Sequence, residues 1–546
     1  MLAFLTVLTT TSTRRSTLFC HGFVVSFSRY MSVSNTRVQK GMELNHSKRP
    51  RNEEASPNSS EEYINNNIMM KRSQYERKMG RIISACSTCH GEGKIRGPLS
   101  KKARALKMER RSKSDDPRPM IPCRACDGTG LISFLATDST IQHQHQSNNS
   151  KVRERLPISV AIVGGGIGGI ALAIALQHRN IPCVVYERDI SFEERKQGYG
   201  LTMQQGARAL RSLGFFNLLD ENDSNNNEEE EETNDIIDDN NKKFRFGIHS
   251  TRHIVHKPCG TVVGEWGMEV WGGRFMKNGR KHAKRQNAHI SRQNLRKLLM
   301  EMLQPDTIRW GHQLIGYSRP VESSVDNHYL DLTFQRRGSK YQECSELITT
   351  TTTTSATILV GCDGIRSAVR AKKLGEEVSP LRYLGCIVVL GIVRSPDTHL
   401  TDGKTVFQTA DGVTRLYVMP FAHPASDDVH IASSEDDEHS QQRGLSMWQL
   451  SFPMDEIHAQ ELSAHGPSAL KAEALTRCGL WHDPIPSLLS QTSLELVTGY
   501  PCYDRNVLDV TDFRTGCKAQ ETADSDPFVT LLGDAAHPMS PFKGKS

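Results

Sequence analysis

The chain has 546 residues, of which 24% are charged and 37% are apolar, and its formal net charge is +6. No stretch approaches the roughly 18 uninterrupted apolar residues that a membrane span requires, which excludes a polytopic membrane protein. The apolar content excludes a wholly disordered chain, and glycines without a fixed period exclude a collagen-like fibre. So small a net charge gives no argument for nucleic-acid binding.

The N-terminal segment, residues 1–42, lacks acidic residues and carries scattered arginines among many serines and threonines: Arg14, Arg15, Arg29 and Arg37. This composition is typical of a transit peptide and predicts import into an organelle, a mitochondrion or a plastid. The alternative is an unstructured tail on a cytoplasmic protein. Residues 43–81 are polar and Asn-rich without helical or strand periodicity, which predicts a disordered linker.

Two copies of one cysteine motif follow within residues 82–134. Cys86-Ser-Thr-Cys89-His-Gly-Glu-Gly93 recurs as Cys123-Arg-Ala-Cys126-Asp-Gly-Thr-Gly130. Each copy places two thiolates on one tight turn, whose glycines permit positive φ. Four thiolates are a ligand set of a closed tetrahedral Zn²⁺ site.

This motif resembles the DnaJ-type zinc ribbon, although two repeats stand where that family carries four. One structural zinc is therefore predicted, with Cys86, Cys89, Cys123 and Cys126 as ligands. A redox dithiol and a chance spacing are the alternatives. The ribbon could also bind a protein partner.

A glycine-rich motif lies beyond a second predicted linker at residues 135–156. An apolar strand ends at Val163 and leads into Gly164-Gly-Gly166-Ile-Gly-Gly169 and an Ala- and Leu-rich helical run. In this context Gly164 permits the tight turn, Gly166 lets the backbone approach a pyrophosphate, and Gly169 allows close packing of helix and strand. The next strand ends at Glu187, where a carboxylate binds an adenosine ribose. One tightly bound dinucleotide is predicted.

Two polar runs interrupt the region from residue 157 to residue 546. The first, residues 220–243, is rich in Glu, Asp and Asn, and the second, residues 349–355, is rich in Thr. Both are predicted to be surface loop expansions, because such runs are too polar to pack and are tolerated at modest entropic cost.

Two later turns carry an aspartate beside a glycine. Asp363 and Gly364 follow an apolar strand, and Gly533 and Asp534 follow another. An aspartate at a strand's carboxyl end can reach a polyol hydroxyl of a bound cofactor, although either turn taken alone could be ordinary. In this order after the glycine motif, the turns resemble the Asp-Gly and Gly-Asp motifs of the class A flavoprotein monooxygenases. That is the para-hydroxybenzoate hydroxylase-like family.

The resemblance extends from Ile158 to Ser546 apart from the two inserts. Ile290-Ser-Arg292-Gln-Asn-Leu295 is similar to the family's Arg-x-x-Leu helix, and Tyr503-Asp504-Arg505 is similar to its Asp-Arg segment. The resemblance implies FAD as cofactor. Its pyrophosphate would be bound by Gly164, Gly166 and Gly169 and by Asp363 and Gly364, which also lie near NAD(P)H, and its adenosine ribose would be bound by Glu187. Arg188 or Arg292 would contact phosphate or flavin, Gly533 and Asp534 the ribityl chain, and Pro541 the isoalloxazine.

The implied fold is α/β, with a Rossmann-like FAD-binding domain of the glutathione reductase type interleaved with a β-sheet substrate domain. Predicted strands of the substrate sheet lie around Phe244–Val263, Cys386–Val393, Thr405–Pro420 and Ser446–Phe452. The family continues its Gly-Asp motif as a glycine-rich turn and helix, whereas this sequence reads Pro541-Phe-Lys-Gly544-Lys-Ser546. We therefore expect a truncated C-terminus.

The implied activity is NAD(P)H-dependent monooxygenation of a small aromatic or alkene substrate. In that family O₂ adds to reduced FAD as a C4a-hydroperoxyflavin, and one oxygen atom passes to the substrate. No residue is predicted to be catalytic. The alternatives are another FAD-dependent oxidoreductase, such as a reductase or halogenase, and a zinc-ribbon interaction protein whose flavin domain is inactive.

Overall fold

The computed structural model describes residues 73–97, 120–135, 159–194, 199–203, 209–210, 212–215, 248–267, 287–320, 329–338, 351–422, 444–508 and 528–538. In these ranges no helix is both long enough and apolar enough to cross a membrane. The transit-like segment 1–42, most of both predicted linkers, the acidic run 220–243 and Pro541 lie outside the described residues.

Seven α-helices lie wholly within the described residues: α1 Gln74–Met79, α2 Ile167–Gln177, α3 Arg292–Glu301, α4 Ala368–Leu374, α5 Glu456–Ala464, α6 Gly466–Cys478 and α7 Ile485–Gln491. The described strands are β1 Arg81–Ala85, β2 Lys94–Arg96, β3 Met120–Pro122, β4 Leu131–Leu135, β5 Val160–Val163, β6 Cys183–Tyr186, β7 Gly200–Thr202, β8 Ile248–Ser250, β9 Arg252–His256, β10 Val262–Trp266, β11 Asn287–Ser291, β12 Ile308–Arg309, β13 His312–Ser318, β14 Leu330–Arg336, β15 Thr351–Ala356, β16 Ile358–Gly361, β17 Arg382–Arg394, β18 Thr405–Ala410, β19 Arg415–Ala422, β20 Leu445–Pro453, β21 Val497–Asp504 and β22 Val529–Leu531.

A five-stranded parallel sheet carries the glycine motif and both Asp turns. Its strands lie in the order β12-β6-β5-β16-β22, and every neighbouring pair is parallel. All four residues of β5 are buried, as expected for a parallel strand covered on both faces. Helices α2 and α3 cover one face through a cluster that includes Ile162, Ile170 and Leu295. The antiparallel sheet β13-β14-β15 covers the other face.

The prediction that the Thr-rich run 349–355 forms a surface loop is wrong for its described part. Thr351–Ala356 is a strand that pairs antiparallel with Leu330–Arg336. Threonine is β-branched and suits a pleated edge, and most of this strand is exposed, so a polar run can serve as an edge strand without packing.

A seven-stranded sheet, in the order β10-β9-β18-β19-β20-β17-β21, forms the second part of the chain. It contains the strands predicted near Cys386–Val393, Thr405–Pro420 and Ser446–Phe452, whereas the predicted strand region Phe244–Val263 is divided between this sheet and a smaller one. Side chains alternate between its faces: Leu416 and Val418 pack under α5–α7, and Met419 and Phe421 point to the opposite face. The small sheet β7-β11-β8 contacts β19 on that side.

The predicted linker 43–81 is wrong at its end, because α1 occupies Gln74–Met79 and β1 begins at Arg81. Ser73 and Glu76 form a capping box, in which the Ser73 hydroxyl accepts from the Glu76 N–H and the Glu76 carboxylate accepts from the Ser73 N–H. That pair is a helix-start signal visible in the sequence. We call residues 73–97 and 120–135 the cysteine unit.

Candidate active site

The glycine motif forms the turn between β5 and α2. Gly164 has φ +106°, and a β-carbon there would lie 2.4 Å from the Cys362 carbonyl oxygen. A β-carbon on Gly169 would lie 2.0 Å from the Gly164 carbonyl oxygen, so no larger residue fits between helix and turn. Gly166 instead begins the helix and faces open space, since its β-carbon would meet no described atom within 4 Å. Only Gly166 of these three therefore leaves room for a ligand.

Glu187 follows β6 and is 5% exposed. Its carboxylate oxygens accept hydrogen bonds from the Gly165 N–H at 2.7 Å and the Asp189 N–H at 3.1 Å. Arg296 on α3 lies 3.9 Å from the same carboxylate and donates to the Gly165 carbonyl oxygen at 2.8 Å. This buried ion pair and these hydrogen bonds fix the glycine turn and hold the Glu187 carboxylate at the carboxyl end of β6.

Asp363 follows β16 and begins α4. Its Oδ2 accepts hydrogen bonds from the N–H groups of Ala368 at 2.8 Å and Val369 at 3.3 Å. Its Oδ1 is buried and has no hydrogen-bond partner among the described residues. Burial raises the pKa of the Asp363 carboxyl group. The neighbouring Gly364 has φ +87°, and a β-carbon there would meet nothing described within 4 Å.

Gly533 and Asp534 form a short turn directly after β22. Gly533 has φ +63° and also faces open space. The turn is held from below by Arg370 on α4, which is 1% exposed and donates to the carbonyl oxygens of Ala535 at 3.0 Å and Ala536 at 3.2 Å. Arg370 therefore joins the helix that follows the Asp363 turn to the Asp534 turn.

A second arginine, Arg505, supports the Asp363 turn from the large sheet. Its Nε donates to the Ile365 carbonyl oxygen at 2.9 Å, and its Nη1 pairs with Glu376 at 2.6 Å. The preceding Asp504 is buried and accepts two hydrogen bonds from Arg382, at 2.8 and 2.9 Å. The Asp-Arg segment that the sequence singled out thus connects the two sheets.

These turns share one edge of the parallel sheet. Strands β6, β5, β16 and β22 are adjacent and parallel, so their carboxyl ends bring Glu187, the glycine turn, Asp363 and Asp534 together. The crevice outside the carboxyl ends of parallel strands is where open α/β sheets bind ligands. We call this region the cofactor edge.

Arg292 begins α3 at the border between the small sheet and the large sheet. Its Nη1 donates to the Tyr199 hydroxyl at 2.6 Å, and Tyr199 packs against the apolar cluster that contains Met419 and Met447. Arg188, the other candidate for phosphate or flavin, has a side chain that is 61% exposed and lies 4.0 Å from Asp189. Of the two arginines, the described contacts bring only Arg292 to the large sheet.

The face of the large sheet on this side, which we call the substrate face, is apolar and carries Val388, Leu390, Met419, Phe421 and Met447. Tyr417 adds a phenol hydroxyl that is hydrogen-bonded to Thr202 of the small sheet, and burial raises its pKa. Next to it, His289 is fully buried.

The His289 ring nitrogens lie 3.1 Å from Thr202 Oγ1 and 2.7 Å from Ser250 Oγ, which ties together all three strands of the small sheet. Burial lowers the pKa of His289 to about 3, so this ring is neutral at physiological pH.

The four predicted metal ligands also meet. The Sγ atoms of Cys86, Cys89, Cys123 and Cys126 are buried and all lie within 4.8 Å of one another. The distance is 4.0 Å between Cys86 and Cys123 and 3.7 Å between Cys89 and Cys126, too long for a disulfide. Four thiolates bound about 2.3 Å from a tetrahedral zinc have sulfur–sulfur distances of this size.

Each cysteine motif repeats one hydrogen bond. The second glycine of each copy donates its N–H to the second cysteine, Gly93 to Cys89 Sγ at 3.2 Å and Gly130 to Cys126 Sγ at 3.3 Å. The glycines also bring the two turns together, because a β-carbon on Gly93 would lie 2.3 Å from the Gly128 carbonyl oxygen. The spacing Cys-x-x-Cys-x-Gly-x-Gly therefore matches the geometry of a paired turn.

Comparison with known proteins identifies the family. The family model described as "FAD binding domain" matches residues 157–443. The chain belongs to this family. Over 401 residues it is 25% identical to aurachin C monooxygenase/isomerase of Stigmatella aurantiaca, covering 71% of this chain and 76% of that protein.

Two further relatives cover similar shares. A 3-amino-4-hydroxybenzoate 2-monooxygenase of Streptomyces platensis is 24% identical, over 73% of this chain and 76% of that protein. An FAD-dependent urate hydroxylase of Mycolicibacterium vanbaalenii is 26% identical, over 71% and 75%. The protein is thus an enzyme, an oxidoreductase of the flavin monooxygenase type. The predicted family and enzyme class are confirmed.

The cofactor edge fits FAD by its own geometry. Gly166, Gly364 and Gly533 each face open space, and the buried Asp363 Oδ1 has no partner in the described part of the chain. Sequence reasoning found these positions but missed the buried arginines Arg296 and Arg370 that hold the turns. Both belong to helices that begin with recognisable motifs. Arginine in a helix is ordinarily exposed, so the sequence gives no indication that these two side chains are buried.

Proposed function

We propose that this protein is an FAD-dependent, NAD(P)H-using monooxygenase that transfers one oxygen atom from O₂ to a small aromatic or alkene substrate. The observation that carries the proposal is the cofactor edge, where three turns with open glycines meet. When bound there, FAD would supply the redox chemistry with O₂. The protein's own residues bind, orient and exclude water.

The cofactor contacts follow from the geometry of each turn. The N-terminus of α2 at Gly166 presents unpaired N–H groups, which suit a pyrophosphate. Glu187, at the carboxyl end of β6, would bind an adenosine ribose hydroxyl, and the buried Asp363 Oδ1 would accept a donor from the cofactor or from bound water. Asp534 would contact the ribityl chain. The roles of Arg188 and Pro541 stay predictions.

The substrate would bind between the cofactor edge and the substrate face. Met419, Phe421 and Met447 form a buried apolar layer on this side of the sheet, and the half-buried Tyr417 and Arg292 place polar groups at its border. Relatives that hydroxylate urate and an aminohydroxybenzoate support a small ring compound as the substrate class.

A combined measurement tests this function. Purified protein should show oxidised-flavin absorbance, and NAD(P)H oxidation should rise with added ring compounds and consume O₂. Isotopically labelled O₂ should leave one labelled atom in the product. NAD(P)H oxidation without labelled product would favour the alternative of a reductase or halogenase of the same fold. Protein that binds no flavin would favour the interaction-protein alternative.

We also propose that the cysteine unit binds one Zn²⁺ through its four thiolates. The shared burial and spacing of the four Sγ atoms support it, as do the two N–H to sulfur hydrogen bonds, which stabilise thiolate charge. Elemental analysis should find one zinc per chain. Full thiol titration of the untreated protein together with absence of zinc would contradict the assignment.

A further inference from the structure

The cysteine unit shares a hydrophobic core with the flavin domain. Ile83 on β1 and Leu131 on β4 are buried in the cluster that α2, α3 and the parallel sheet form. A β-carbon on Gly214 would come within 2.9 Å of the Ile83 side chain. The rings of Tyr75 and Phe215 lie 5.2 Å apart across the same contact. The unit is therefore packed into the domain and is not suspended from it.

Hydrogen bonds join the unit to the C-terminal end of α2. The Ala85 N–H donates to the His178 carbonyl oxygen at 2.9 Å. Arg179 donates through Nη2 to the Gly91 carbonyl oxygen at 2.9 Å, and through Nη1 to the Ala175 carbonyl oxygen at 2.8 Å. Gly91 lies within the first cysteine motif, so one guanidinium connects the helix to a metal-binding turn. These bonds also satisfy carbonyl groups at a helix end.

Charge also bears on this contact. Burial lowers the pKa of the Arg179 guanidinium, and the neighbouring Cys89 and Glu92 act in the opposite direction. A zinc ion with four thiolates carries a net charge of about −2, which places a negative centre beside this half-buried arginine. The cation near the C-terminus of α2 also complements the dipole of that helix.

We propose that the metal bound by Cys86, Cys89, Cys123 and Cys126 is a structural part of the flavin domain, which fixes the C-terminal end of the helix whose N-terminal end forms the cofactor turn. The inference rests on the proposed zinc and is independent of the monooxygenase reaction. With 11 residues, α2 spans about 16 Å between the metal turn and the cofactor turn.

The physical reason is the small size of the cysteine unit. Its own strands are short, and its apolar cluster consists of the four cysteines with Ile95 and Ile132 beside them. A unit of this size cannot stay folded on its own core, so we expect the metal and the contact with the flavin domain to stabilise each other. Without the ion, four buried thiols would replace the metal bonds, and β1 and β4 would loosen from α2. The flavin domain would then expose the core around Ile83.

The test uses the full chain and compares two cysteine substitutions. Cys126→Ser removes a ligand, whereas Cys259→Ser changes an exposed cysteine outside the unit. We measure zinc per chain and the midpoint temperature of flavin release. Cys126→Ser should lose the zinc and lower the midpoint by about 5–10 °C. Cys259→Ser should keep both values. Loss of zinc with an unchanged midpoint would overturn the proposal.

Two further measurements keep the test decisive if Cys126→Ser does not fold. A chelator added to folded wild-type protein should lower the midpoint as the ligand substitution does. Arg179→Met keeps all four cysteines, so it should retain zinc while lowering the midpoint by about 2–4 °C. Wild-type protein that keeps the full midpoint after the chelator has removed its zinc would overturn the structural role of the metal, while zinc content of the untreated protein tests the metal assignment and labelled-oxygen incorporation tests the monooxygenase.

Discussion

The cofactor edge and the substrate face are built on different principles. At the cofactor edge, turns are held by buried polar groups, such as the Glu187–Arg296 pair and Arg370 beneath the Asp534 turn. On the substrate face, alternate residues of β19 and β20 present apolar side chains, with few polar contacts. The cofactor edge therefore fits one ligand shape, whereas the shape of the substrate face can be altered by substitution of its side chains. We therefore expect cofactor binding to depend on the backbone conformation of the turns, and substrate choice to depend on side chains.

The largest expected effect comes from Arg296→Met, which removes the partner of a buried carboxylate. Glu187 would stay buried without its counter-charge, and such changes cost about 3–5 kcal/mol. Urea unfolding followed by flavin fluorescence should show a loss of this size together with weaker FAD retention. Lys297→Met is the control, because that side chain follows Arg296 on the same helix and is exposed. Equal effects of the two substitutions would contradict a structural ion pair at the cofactor edge.

A pair of glycine substitutions separates packing from ligand contact. Gly169→Ala places a β-carbon 2.0 Å from a backbone oxygen, so the helix must shift at a cost of about 1–3 kcal/mol. Gly166→Ala meets no described atom within 4 Å. We expect the first to lower stability and the second to keep stability but raise the Kd for FAD, as measured by flavin titration. A normal Kd for Gly166→Ala would remove that residue from the cofactor site.

The buried histidine of the small sheet predicts a pH dependence of stability. His289 has a pKa of about 3 when folded, against 6.5 in an unfolded chain, chiefly because it is buried and also because His253 and His249 lie nearby. The unfolded state therefore binds more protons between these values, and stability falls as pH drops below about 6.5. His289→Gln should make the loss between pH 6.5 and 5 smaller by about 1–2 kcal/mol. An unchanged slope in urea unfolding would contradict this assignment.

The smallest effect is expected on the substrate face. Tyr417→Phe removes one hydroxyl that is bonded to Thr202, a change of about 0.5–1.5 kcal/mol. It should leave the Kd for FAD unchanged and lower kcat/KM for a ring substrate about two- to tenfold. Tyr503→Phe is the matched control, because that hydroxyl bonds to Glu456 at the far edge of the sheet. A shift in FAD affinity with Tyr417→Phe would weaken the division between the two regions.

The fold and the cofactor edge were largely predictable because each turn needs particular residues at fixed distances from a strand. Gly164 and Gly169 are required by backbone contacts, and Asp363 begins a helix at a strand end. The strands of the large sheet were visible from their apolar and β-branched runs. Such signals are local in sequence, so they can be recognised without knowledge of the packing.

The remaining features depend on contacts between distant residues. Ile83 and Leu131 are single apolar residues in a polar region, and nothing nearby indicates that they enter the flavin core. Arg296 and Arg370 are buried only because turns from other strands supply carbonyl groups. The Thr351–Ala356 strand was misassigned because composition outweighed β-propensity. The helix start at Ser73 and Glu76 is different, because its capping-box pair can be recognised in the local sequence.

The place of β22 in the parallel sheet has a consequence for synthesis on the ribosome. Residue 359 of β16 pairs with residue 529 of β22, while five of the seven strands of the large sheet, β17–β21, lie between them in the chain. The backbone groups of β16 that pair with β22 therefore stay unpaired until most of the large sheet has been translated. Pairing over such separations is slow and leaves an open strand edge exposed to aggregation. We therefore expect the nascent chain to expose this strand edge during most of the synthesis of the large sheet.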